Sequence, residues 1–87
     1  MNADQSAFGA SVRAVRKDAG FTQEGLAAAA GLDRGYVGGV ENGRRNISLN
    51  AMWKLARAIG VTPAAFFPST DEQGAADADP AQGRNRS

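Results

Sequence analysis

The chain has 87 residues, with ten Lys and Arg against nine Asp and Glu, and neither histidine nor cysteine. That length supports one small, marginally stable domain, for which oligomerisation is a natural support, and the missing Cys and His remove disulfides, thiolate and common zinc sites and the usual catalytic base. No run of about 18 apolar residues is present, and residues 1–5 have neither a basic start nor an apolar stretch, so a cytoplasmic protein with no membrane contact, metal, cofactor, small-molecule ligand or enzymatic activity is expected.

Phe8, Val12, Val15 and Ala19 recur at helical spacing and draw one apolar stripe, which predicts a first helix over residues 4–19 or 6–19 with Gly20 as its stop. Thr22 caps a second helix over 23–30, with Gln23 and Glu24 in its first turn, where Glu24 suits the positive end of the helix dipole. Its inner side is Leu26, Ala27 and Ala30, and Gly31 ends it. After the apolar plug Leu32, Asp33 caps a third helix over 34–42, with Val37 and Val40 facing inward and Asn42-Gly43 as the stop. Ser48 caps a fourth helix over 49–59, whose inner face is Leu49, Met52, Leu55, Ala56 and Ile59. Thr62-Pro63 opens a short fifth helix that carries Phe66 and Phe67 and closes at Pro68. Residues 69–87 contain no aromatic or branched aliphatic residue and are expected to stay disordered. Charge divides at the same place: residues 1–68 hold eight basic and five acidic groups, a net +3, and the tail is net −2. A basic domain suits a polyanionic partner.

Two short helices joined through Gly31-Leu32-Asp33 have the spacing of a helix-turn-helix, which sets the N-terminal part of its second helix in the DNA major groove. The fold class expected is therefore all-α, five helices, with the reading head between residues 22 and 45. Arg34 opens the third helix, where a guanidinium reaches guanine O6 and N7. Gln23 stands beside the free N–H groups of a helix start, which hold a phosphate. Arg44, Arg45 and Asn46 leave the third helix in a place suited to phosphates or a groove edge. Ser48 is a cap and also faces a phosphate if its helix points that way. Each has a plainer reading as a solvated surface group. Gly35, Gly38 and Gly39 each cost a helix up to about 1 kcal/mol. They indicate close approach to DNA or to the second helix, or a helix held only by its packing, loose when free. Trp53, Phe66 and Phe67 exceed the needs of a small core and are assigned to a dimer patch, with core filling the alternative, favoured for Phe66.

The order Thr22-Gln23-Glu24-Gly25-Leu26-Ala27, Gly31-Leu32, Val37, Val40-Glu41-Asn42-Gly43, Arg45-Asn46-Ile47-Ser48-Leu49 and Leu55-Ala56-Arg57-Ala58-Ile59-Gly60-Val61 resembles the lambda-repressor/Cro-like (XRE-type) helix-turn-helix family over residues 8–67. Within it, the segment from Leu32 through Glu41, with Arg45-Asn46-Ile47-Ser48-Leu49, is similar to the controller proteins of restriction–modification systems. The resemblance implies a homodimer on a pseudo-palindromic double-stranded DNA operator, regulating its own gene and a restriction–modification operon. It also implies that Tyr36 faces DNA, that Glu41 pairs with Arg16 in the first helix, and that the C-terminal helices form the dimer. At Gly35 and Gly38 the chain lacks the threonine and serine common in the family, and with them two hydroxyls. Residues 1–68 are thus expected to be a DNA-binding and dimerisation domain. A phage-type repressor, an antitoxin-type autorepressor and a protein-interaction module without DNA binding are the rival readings.

Overall fold

A computed structural model describes residues 3–67. The polar tail expected from residue 69, and Pro68 as a helix stop, lie outside the described residues. Within them run α1 (Ala3–Asp18), α2 (Gln23–Ala30), α3 (Arg34–Glu41) and α4 (Leu49–Ile59), followed by a single 3-10 turn over Pro63–Phe66. The expected fifth helix is thus only this turn. Its cap residue Thr62 makes no side-chain bond, and the chain closes on short-range bonds from Ala65 N–H to the Thr62 carbonyl at 3.0 Å and from Phe67 N–H to the Ala64 carbonyl at 3.2 Å.

Three side chains start helices in the same manner. The Thr22 hydroxyl accepts from Gly25 N–H at 2.9 Å, Asp33 Oδ2 from Tyr36 N–H at 3.2 Å, and Ser48 Oγ from Ala51 N–H at 3.1 Å. Gly31 ends α2 at φ 71°, a conformation that a Cβ would strain. There its N–H bonds the Ala28 carbonyl and Leu32 N–H bonds Ala27, so two carbonyls at the end of α2 are satisfied within a tight reversal.

The core gathers Val12 from α1, Leu26 and Ala27 from α2, Val37 and Val40 from α3, Leu55 and Ala56 from α4, and Phe66 from the 3-10 turn. Each fully buried Val, Leu or Phe contributes roughly 1.5–3 kcal/mol of apolar burial. Phe66 is 0% exposed and meets Phe8 edge-on, ring centroids 6.0 Å apart. A side chain already enclosed by its own chain has no surface left for a partner, so the core-filling reading of Phe66 replaces the dimer assignment. Leu49 reverses the other way. It continues the apolar rhythm of α4 but is 68% exposed, because the packing reaches α4 only from Ala51 onward.

One close contact sets how α1 meets α3. Gly9 is buried, and a Cβ there would run into the Val40 carbonyl oxygen and lie 2.7 Å from that of Glu41. The backbone of α1 therefore rests directly on the C-terminal carbonyls of α3, which fixes the height of α3 relative to the rest of the domain.

Candidate nucleic-acid interface

The C-terminal end of α3 is locked from inside. Arg16 Nε donates to Glu41 Oε2 at 2.6 Å and Arg16 Nη2 to Glu41 Oε1 at 3.0 Å, a two-pronged pair with both side chains nearly fully buried. Arg16 Nη1 donates to the Phe21 carbonyl at 2.8 Å, tying in the α1–α2 turn. The hydrogen bonds that Arg16 donates to Glu41 outweigh burial and push the Arg16 pKa above its ordinary value, so the guanidinium stays charged. Glu41 Oε1 also accepts from Gln23 Nε2 at 3.0 Å. Gln23 is therefore not a free solvent group: one amide N–H is bound inward, and its other remains to donate.

The outer side of α3 is furnished differently. Arg34 is exposed, with Nε 3.3 Å from Glu24 Oε2 in an equally exposed pair, a partner that the dipole reading of Glu24 did not anticipate. Such a pair is weak and readily exchanged for another anion. Tyr36 is half-buried, and its hydroxyl oxygen accepts from Ser48 N–H at 3.1 Å, keeping its own proton free to donate. Arg45 lays its guanidinium carbon 5.5 Å from the centre of the Tyr36 ring, within cation–π range. Arg44 and Arg45 both send their N–H groups to the Gly39 carbonyl, at 2.9 and 3.2 Å, so the turn after α3 is folded back onto the helix.

A helix-turn-helix family model matches residues 12–66 of the sequence. The chain belongs to the helix-turn-helix family. Among its relatives, control protein C.MunI of Mycoplasma sp is 34% identical over 74 residues, 84% of this chain and 100% of that protein. Control protein C.BamHI of Bacillus amyloliquefaciens is 40% identical over 57 residues, 64% of this chain and 70% of the other. The crystal structure of the restriction-modification controller protein C.AhdI from Aeromonas hydrophila superposes with a TM-score of 0.74 at 48% identity, covering 76% of this chain and 100% of that one.

In this helix-turn-helix the structure brings Tyr36, Arg45, Asn46 and Ser48 together and sets Gln23 and Arg34 on the adjoining α2–α3 edge. Gly35 is exposed beside the Asp33 cap, and a Cβ on it would come 2.8 Å from the cap oxygen Asp33 Oδ2. Gly39 is covered by the Arg45 side chain, and Arg44 is exposed. Two polar residues escaped sequence reasoning. Asn50 and Lys54 of α4 line, with Tyr36, Asn46 and Ser48, an open groove of about 540 Å³ between the starts of α3 and α4. Their spacing of four on the polar side of α4, just after the Ser48 cap, was the available signal. Trp53, at 44% exposure, and Phe67, at 53%, stand at the surface with Leu49, while Phe67 also touches the Phe8 ring at 5.3 Å.

Proposed function

We propose that this chain is a homodimeric, sequence-specific DNA-binding regulator of the restriction–modification controller type, which also controls its own gene. The observation that carries this reading is the stacked Tyr36–Arg45 pair beside α3, with exposed Arg34 on the adjoining α2–α3 edge, in a chain similar to controller proteins over its helix-turn-helix. Arg34 and Tyr36 read base edges in the major groove. Gln23, Arg44, Arg45, Asn46 and Ser48 hold phosphates and set the register, and exposed Gly35 leaves the start of the helix low enough to approach, while Gly39, covered by Arg45, lies behind that side chain. Exposed Leu49 and Trp53 lie one helical turn apart on α4, and with Phe67 they supply apolar surface for a second copy. Two-fold symmetry then calls for a pseudo-palindromic operator with half-sites about 34 Å apart or a multiple of it.

The decisive experiment is a gel shift on the DNA upstream of its own gene, at several salt concentrations. The expected result is binding that weakens steeply with salt and drops at least tenfold in Arg34→Ala. Equal binding to a scrambled duplex, unchanged by Arg34→Ala, overturns the reading. Sedimentation of Trp53→Glu tests the dimer: a shift toward monomer is expected, and an unchanged dimer moves the interface elsewhere.

A further inference from the structure

Gly39 has a neighbour that its place in the helix does not explain. A Cβ built on it would lie 2.9 Å from Arg45 Cγ, 3.3 Å from Cδ and 3.5 Å from Nε. The aliphatic stem of Arg45 thus lies against bare helix backbone. Two more contacts fix it there: Arg45 N–H donates to the Gly39 carbonyl at 3.2 Å, and its guanidinium sits over the Tyr36 ring. Tyr36 and Gly39 are three residues apart and share a face of α3. By crossing position 39, Arg45 is carried back one turn, toward the half of the helix that enters a groove. Gly38 stands next to it in a different setting. A Cβ at 38 would meet only the Gln23 side chain, no closer than 3.6 Å, which is ordinary contact.

We propose that Gly39 is a positioning residue for Arg45: its bare backbone lets Arg45 fold back and stack on Tyr36, so that the two side chains meet DNA as one unit. This rests on the DNA-binding reading above. It differs from direct approach of the Gly39 backbone to DNA, because the glycine then acts wholly through Arg45.

Two measurements test it. In the free protein, the Arg45 δ-methylene protons should be shifted upfield by the Tyr36 ring in the wild type and in Gly38→Ala, and the shift should be lost in Gly39→Ala. For DNA, the probe is the duplex that the wild-type chain enriches from a randomised pool. Gly39→Ala should weaken binding to it about tenfold, the scale of one lost side-chain contact, and Gly38→Ala less than twofold. In an Arg45→Ala background, adding Gly39→Ala should change affinity less than twofold. A retained ring shift in Gly39→Ala overturns the proposal, and so does a full tenfold loss in the Arg45→Ala background, which would assign the glycine to backbone approach. If Gly39→Ala alone is poorly folded, the double variant, which has no Cγ at 45, recovers the fold when the proposal holds and stays unfolded when it does not. Should the wild type enrich no duplex, the DNA-binding reading fails by itself, while the ring shift still decides where Gly39 holds Arg45.

Discussion

The two helices of the helix-turn-helix have equal length and similar N-caps but unlike sequences. α2 reads Gln-Glu-Gly-Leu followed by four alanines, and α3 reads Arg-Gly-Tyr-Val-Gly-Gly-Val-Glu. Alanine is the best helix former and glycine among the worst, so α2 is favoured by its own backbone and α3 is not. The difference is made up by tertiary bonds: the Arg16–Glu41–Gln23 network at one end, the Asp33 cap at the other, and the Arg44 and Arg45 N–H groups on the Gly39 carbonyl. The lesson is that α3 is held by its neighbours rather than by its own backbone preference, which leaves exposed Arg34 at its start unburdened by folding.

The sharpest way to break that contrast is Glu41→Ala. Removing one partner of a buried pair leaves Arg16 uncompensated, with an expected loss of roughly 3–5 kcal/mol. Urea unfolding checks this, and a loss under about 1 kcal/mol would mean that α3 has no need of its lock. Asp33→Ala removes the other tie and should cost about 1 kcal/mol. Next in size, with the opposite sign, Gly38→Ala should stabilise the fold by up to about 1 kcal/mol, since the new methyl meets only ordinary contact. Smallest is Glu24→Ala, which breaks an exposed pair and should shift stability by less than about 0.5 kcal/mol. Amide exchange compares the two helices directly. In the free protein α3 should exchange faster than α2, and operator DNA should narrow the gap; equal protection with and without DNA would show that α3 is already rigid.

The caps explain why so much of this fold was legible. Thr22, Asp33 and Ser48 act over three residues, so their sequence neighbourhood contains the whole interaction. What escaped depends on distant partners. Leu49 follows the helical rhythm, but rhythm does not reveal where the core stops. Thr62-Pro63 has the marks of a helix start, and only the packing of Phe66 shows that one 3-10 turn suffices to bury it. Gly9 is an unremarked glycine in sequence and a backbone contact in space. At the candidate site, the residue types along α3 pointed to DNA, and the Arg16–Glu41 pairing came from family resemblance. The link from Glu41 to Gln23, and that from Gly39 to Arg45, span 18 and six positions and carry no local pattern.

The inward lock on Glu41 has a consequence for how such a molecule changes over generations. Because Arg16 and Gln23 grip the last residue of α3, and Val37 and Val40 carry its packing, positions 34, 35 and 38 take no part in the core. Of these, position 34 is the one open to rewriting: on the DNA-binding reading proposed above, a new side chain there changes which DNA is preferred and leaves both ties of the helix intact, whereas a Cβ at 35 crowds the Asp33 cap and one at 38 meets Gln23. Drift at position 34 is, on that reading, a cheap route to a new target site, open to a lineage without rebuilding the domain beneath.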